Sequence, residues 1–409
     1  MLNQFKIMTL PFIIIALSAC DGGPVSTTTT NSTGSTTGST IETNATLLGK
    51  RLFSDTRLSF NQTQSCATCH NPEKGFIDDR DNGVARAVSL GDDGVSLGNR
   101  NSPTVSYRSL VPDFNENNEN STGGHFLDGR AGNLTDQAGE PFLNAVEMGM
   151  PDRASVIARI VAVPDYVAAF EALYGATVFD DTNTAFSALS DSLASFQESK
   201  EVSPFNSKFD RAIAGTYTFT NAEQEGQNLF FAGRASCDNC HRLEDIPNLS
   251  PTQLFTNHRY ENVGVPINQT LNNFLQSTGQ QADLVNNGDQ GLLANPAVNT
   301  SDARGRFRVP SLRNVAVTAP YMHNGVFANL QTVIEFYDHV SGNDERTINP
   351  ETNQPWRNPE VDENISLFQL EMQGFSDRDV DNLECFLRTL TDAKFEGDLP
   401  ALRAGLNCS

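Results

Sequence analysis

Cys66-Ala67-Thr68-Cys69-His70 and Cys237-Asp238-Asn239-Cys240-His241 decide how this chain is read. Each is C-x-x-C-H, the attachment signature of haem c. Two thiols three residues apart on a helical turn meet the two vinyl groups of one porphyrin. The adjacent histidine then reaches the iron from the same side. A lone C-x-x-C serves equally as a zinc or thiol-redox element. Two copies, each followed by His, in a chain with only 7 Cys, are far more specific. The expectation is two covalently bound haems c. Cys66, Cys69, Cys237 and Cys240 attach them, and His70 and His241 ligate their irons.

Outward from the motifs, an internal repeat appears. Gly49-Lys50-Arg51-Leu52-Phe53 precedes the first motif and Gly226-Gln227-Asn228-Leu229-Phe230 the second. Both read G-x-x-L-F on an expected helix, with the apolar pair available to pack on a haem. Thr220 and Glu223 form a capping box for the second helix. Phe186, Leu189, Leu193 and Phe196 recur at helical spacing, as do Val380, Leu383, Phe386, Leu387 and Leu390. Ser376 or Asp377 caps the latter. Long strand-like alternations are scarce. The expected fold is mainly α, two cytochrome c-like haem domains with long irregular loops, divided as 46–215 and 216–409.

The N-terminus sets the expected compartment. Residues 1–19 read as a lipoprotein signal peptide, with Lys6 as a weak positive region and an apolar core from Pro11 to Ala16. Leu17-Ser18-Ala19-Cys20 resembles a lipobox, in which the Cys20 thiol accepts diacylglycerol. The alternative is an ordinary signal peptide with an incidental Cys. Residues 20–45 are rich in Ser, Thr and Gly and read as a flexible tether. The body is then expected on the periplasmic side of the envelope, touching membrane only through the lipid at Cys20. Export also permits a disulfide between Cys385 and Cys408, two free thiols being the alternative.

Over 409 residues, 50 acidic side chains stand against 28 basic ones, a net charge of −22. That argues against nucleic acid and against electrostatic docking on anionic lipid. It suits a basic protein partner, or simply a well-solvated surface.

Three further stretches carry a resemblance. The strongest is Val309-Pro310-Ser311-Leu312-Arg313-Asn314-Val315, running on to Thr318-Ala319-Pro320-Tyr321-Met322-His323-Asn324-Gly325. The second is Asp128-Gly129-Arg130 with Gln137, Pro141 and Glu147-Met148-Gly149, and the third is Arg100-Asn101-Ser102-Pro103-Thr104. With the two haem motifs, residues 46–395 resemble the bacterial dihaem cytochrome c peroxidase/MauG family. The resemblance implies that the haem on His70 meets hydrogen peroxide. It implies that Glu147 is the distal acid/base, with Gln137 and Pro141 lining its pocket. A carboxylate there can take a proton from the near oxygen of peroxide and return it to the leaving oxygen. It also implies a calcium site at Asn101, Thr318 and Pro320, one side-chain oxygen plus carbonyls being hard ligation suited to Ca²⁺. The alternative is that these three residues only shape turns.

Two positions separate the family's branches. Residues 71–100 contain no His, so the loop ligand that caps the resting peroxidatic iron in many members is missing. His125 is a possible substitute, or else a hydrogen-bonding pocket or surface residue. Fourteen residues after His323 stands Tyr337, where peroxidases carry Met and MauG-like enzymes carry Tyr. Thioether favours Fe(II) and phenolate favours Fe(III) and higher states. The alternative ligands are Met322 and Met372. Family members usually carry Trp before the D-G-R, where this chain has Leu127. The only Trp, Trp356, is expected in a surface loop. His323 is expected beside a haem, and His258 and His339 in surface or structural roles. The favoured reading is a MauG-like enzyme that oxidises a Trp or Tyr on a partner protein. The alternatives are a peroxidase fed by a small cytochrome or cupredoxin, and a dihaem electron carrier.

Overall fold

The computed structural model describes residues 44–117, 120–231, 234–243, 252–371, 374–402 and 405–408. The signal peptide, Cys20, nearly all of the tether and Met372 lie outside the described residues.

The fold is mainly helical. In chain order the helices are α1 (Ala45–Phe53), α2 (Cys66–Cys69), α3 (Leu134–Leu143), α4 (Arg153–Val161), α5 (Pro164–Tyr174), α6 (Thr182–Gln197), α7 (Lys208–Ile213), α8 (Asn221–Phe231), α9 (Gln269–Thr278), α10 (Ala282–Asn287), α11 (Leu330–Val340) and α12 (Asp377–Arg388). Strand structure is confined to two short antiparallel pairs among the described residues. β1 (Tyr260–Glu261) pairs with β2 (Phe307–Arg308), placing Tyr260 opposite Arg308. β3 (Ile348–Asn349) pairs with β4 (Gln354–Pro355).

Local chemistry sets the helix starts. Asn44 accepts from Thr46 and Leu47 at the start of α1, and Ser376 closes a capping box with Asp379 on α12. On α8, the Thr220 hydroxyl accepts from Glu223 N–H while the Glu223 carboxylate accepts from Thr220 N–H. That is the reciprocal cap anticipated from sequence.

Two apolar cores result. The first gathers Leu52 and Phe53 of α1, Phe142 of α3 and the Phe186, Leu189, Leu193 and Phe196 stripe of α6. The second gathers Phe209 of α7, Phe230 of α8, Ile334 and Phe336 of α11 and Val380, Leu383 and Phe386 of α12. Phe209 precedes the expected boundary at 215/216 yet packs in the second core, and Phe395 packs in the first.

The G-x-x-L-F repeat has its reason in helix crossings. A Cβ at Gly49 would meet the Ser192 carbonyl oxygen of α6 at 1.8 Å, with Phe196 alongside. A Cβ at Gly226 would meet the Asn382 carbonyl oxygen of α12 at 1.8 Å, with Phe386 alongside. α1 on α6 and α8 on α12 are therefore the same crossing made twice. The Leu-Phe pair was expected to pack on haem. Leu52 and Phe53 lie in the first apolar core, Phe230 in the second core and on the cavity wall, and Leu229 is half-buried.

Trp356 is not loose on a surface loop. It is half-buried at the end of β4 and packs edge-on to Phe327 and tilted on Phe336. It stacks on His339 and donates its indole N–H to the Arg346 carbonyl at 2.8 Å. Cys385 and Cys408 form a disulfide with Cα atoms 5.4 Å apart, which ties the C-terminal tail to α12.

Candidate active site and haem-binding cavities

The four motif cysteines are unpaired. Burial pushes Cys66, Cys237 and Cys240 up to about 12 and Cys69 up to about 11. A thiol-redox C-x-x-C needs its thiol shifted the other way. Among the described residues no group of three His, Cys, Asp or Glu side chains converges as a metal cage.

Both motif histidines have one ring nitrogen tied to a backbone carbonyl, so they would hold a haem iron through the other. His70 Nδ1 lies 3.3 Å from the Phe76 carbonyl and His241 Nδ1 lies 2.9 Å from the Phe255 carbonyl. A carbonyl only accepts, so Nδ1 carries the proton and Nε2 keeps its lone pair for a metal. Burial lowers each imidazole to about 4, so both are neutral at pH 7.

The second motif opens onto a cavity of about 290 Å³. Cys237, Cys240 and His241 line it, together with Tyr337 of α11, Met322 and the Val309-Pro310 segment. Both thiols act electrostatically on Tyr337, and burial holds the Tyr337 phenol above its ordinary pKa. Tyr337 and Met322 thus reach the same space. Asn101, Thr318 and Pro320, the three expected calcium residues, are among the residues that line this cavity. Asn101 N–H donates to the His323 carbonyl at 2.7 Å and its amide nitrogen to the Ala87 carbonyl at 3.0 Å, leaving its amide oxygen available.

Near the first motif, Gln137 and Pro141 sit one helical turn apart on α3. Proline has no N–H, so Pro141 leaves the Gln137 carbonyl without its helical donor. The Pro141 carbonyl accepts from Met148 N–H at 3.2 Å, folding the turn that carries Glu147 back over the end of α3. Asn144 donates to the Glu147 carboxylate at 2.8 Å. Glu147 bears electrostatically on Cys66 and Cys69, so it shares their enclosure. Burial raises its pKa, while Arg130 and Asn144 oppose that shift.

Other expected residues lie as follows. His323 stacks on Phe307 at 3.8 Å and hydrogen-bonds Glu360 at 2.9 Å, beside the cavity. Leu127 lines the cavity, and neighbouring Phe126 lies under the Arg130 guanidinium at 3.6 Å. His125 is 1% exposed with Nδ1 unpartnered, and His258 Nδ1 is likewise buried without a partner. His258 as a residue is half-buried, which fits the structural one of its two expected roles. Sequence reading missed the buried chain from Glu360 to Asp289, whose carboxylate takes two hydrogen bonds from Arg100, and on to Asp128. It also missed Arg108 and Arg308. Arg308 is 1% exposed, with Nε and one terminal nitrogen lacking any partner. Its only sequence signal is a charge set directly before the Val309-Pro310 stretch.

These features fit haem attachment at both motifs: free protonated thiols, histidines with one ring nitrogen left for a metal and, at the second motif, an apolar cavity. A family model described as di-haem cytochrome c peroxidase matches residues 43–218. The chain belongs to the dihaem cytochrome c peroxidase/MauG family and is a MauG-like dihaem enzyme. It is 48% identical over 360 residues to the methylamine utilization protein MauG of Paracoccus denitrificans, covering 87% of this chain and 91% of that one. It is 30% identical over 307 residues to a cytochrome-c peroxidase of a Pseudomonas species, covering 72% of each. The solved diheme peroxidase BthA of Burkholderia thailandensis matches with a TM-score of 0.73 at 28% identity, covering 88% of this chain and 89% of that one. Membership implies two c-type haems, peroxide as oxidant and a protein redox partner or substrate.

Proposed function

We propose that this enzyme uses hydrogen peroxide to oxidise a Trp or Tyr side chain on a partner protein. When bound, the haems supply the redox chemistry that passes two electrons from the substrate aromatic to peroxide. The chain supplies the rest. Glu147 takes the proton of the near peroxide oxygen and delivers it to the leaving oxygen. Gln137 and Pro141 shape the pocket around it. Burial raises the Glu147 carboxyl, which brings it nearer the balance a residue needs to accept and then return a proton.

The observation that carries the reading is Tyr337 lining the cavity of Cys237, Cys240 and His241. An anionic phenolate stabilises the higher charge of ferric iron and makes the second haem a poor electron reservoir. Met322 on the same cavity wall supports a second reading, a peroxidase fed by a small cytochrome or cupredoxin. Redox titration with near-infrared and EPR spectra of wild type and Tyr337→Met separates them. Tyrosinate ligation gives a low wild-type potential that rises in the variant. A methionine-to-iron charge-transfer band in the wild type would establish the peroxidase reading instead.

Asn101, with the backbone of Thr318 and Pro320, is the proposed calcium site. The proposed location is the periplasmic face of the envelope, anchored by lipid at Cys20. The Cys385–Cys408 disulfide supports an oxidising compartment. No helix among the described residues is long and apolar enough to cross a membrane.

A further inference from the structure

Four basic side chains converge, and among the described residues no carboxylate pairs with them. Arg308 comes from β2, opposite Tyr260 of β1. His258 precedes β1, and its carbonyl accepts from Gly123 N–H at 3.0 Å. The Tyr260 hydroxyl donates to the Gly123 carbonyl at 2.6 Å, which brings the His125 segment alongside. Arg108 and Arg308 repel one another and both act on His125 and His258.

Among the described residues Tyr260 is the only acidic group bearing on either guanidinium, and burial keeps its phenol protonated. The nearby carboxylate of Asp128 is engaged by Arg100 and Arg130. The one hydrogen bond of the Arg308 guanidinium among the described residues is to the Val309 carbonyl at 3.5 Å. Arginine does not shed its proton in a protein, so a buried guanidinium of this kind requires an anion. Planar carboxylates fit it best, through paired N–H···O bonds.

The station lies between the two haem motifs. Arg308 lines the cavity of Cys240 and His241. Arg108 makes its charge felt at His70. The Arg308 backbone N–H donates to the Leu127 carbonyl at 2.9 Å, at the position where relatives usually carry an aromatic relay.

We propose that Arg108 and Arg308, assisted by His125 and His258, bind the propionate carboxylates of the two porphyrins. Arg108 serves the haem on His70 and Arg308 the haem on His241. The neutral imidazoles add N–H donors to the same carboxylates. One basic station then holds an edge of each haem and couples their redox states electrostatically, because oxidising one iron is felt across the shared cations. The proposal rests on the two-haem reading and is independent of which substrate is oxidised.

Spectroelectrochemical titration of the holoenzyme tests it. A guanidinium paired to a propionate neutralises charge beside the iron and favours the ferrous state. Arg308→Gln should move the ferric/ferrous equilibrium of the second haem about tenfold toward ferric, about 59 mV for one electron. The first haem should move less. Arg108→Gln should reverse that order, and Arg308→Lys should recover most of the shift. Unchanged potentials in Arg308→Gln and Arg108→Gln proteins that retain both haems would overturn the proposal. Should these variants fail to mature, a crystal structure of the wild-type holoprotein decides. A propionate oxygen hydrogen-bonded to Arg308 supports it. Arg308 held by a protein carboxylate, or by water or a free anion alone, overturns it. Absence of haem from the purified protein would sink the two-haem reading instead.

Discussion

Glu147 sits in a turn that Pro141 folds over the end of α3, with Asn144 donating to its carboxylate and burial raising its pKa. A base must be ionised to act. The rate of reaction with peroxide should therefore climb with pH, its half-rise above the ordinary glutamate value of about 4.3. Glu147→Gln should lower that rate by about 10²–10⁴-fold and abolish the inflection, as read by stopped-flow absorbance. A Gln variant that keeps both rate and inflection would remove Glu147 from the chemistry. The residues around the motifs were legible because haem attachment needs fixed spacing, and Glu147 and Tyr337 stood at positions a family pattern marks. Arg108, Arg308 and His258 were not. A sequence displays a charge but not whether an acid will face it after folding. Only the packed structure shows that Asp128 is engaged by Arg100 and Arg130 while Arg308 lacks a carboxylate partner among the described residues.

Helices cross closely where the repeat puts glycine. The repeat itself was visible in the sequence, but its apolar pair drew the eye, whereas the crossing depends on a missing side chain. Gly49→Ala and Gly226→Ala each drive a Cβ into a backbone carbonyl that cannot swing aside. Each should cost about 1–3 kcal/mol or more, read as a lowered unfolding temperature. Gly397→Ala is the control, since a Cβ there meets nothing within 4 Å and its change should stay within about 0.5 kcal/mol. Equal effects at all three positions would refute the crossing argument. α12 carries a second restraint, the disulfide that spans 23 residues to Cys408. Replacing both cysteines with Ala should lower stability by about 3 kcal/mol, the loop-closure value for that length. Chemical unfolding followed by haem absorbance would measure it, and loss of stability only under reducing conditions in the wild type would corroborate it.

Across the whole molecule, the tail after α12 binds the halves together. The Asp392 carboxylate accepts from the Tyr107 hydroxyl at 2.6 Å and from the Asn314 amide at 2.8 Å. Phe395 packs edge-on to Phe76, whose carbonyl orients His70. Lys394 pairs with Glu73, and Lys74 pairs with Asp398 across 324 residues of sequence. Phe395→Ala should cost about 3–5 kcal/mol and disturb the spectrum of the first haem more than that of the second. Equal disturbance of both would show that the tail does not serve the His70 site specifically. The clasp also fixes an order of assembly. Ribosomes make Cys66 and Cys69 long before the residues that close over their loop, since Lys74 and its partner Asp398 are 324 positions apart. Porphyrin can thus meet those thiols on an open, accessible strand, and the later segment around Phe395 latches the door behind it.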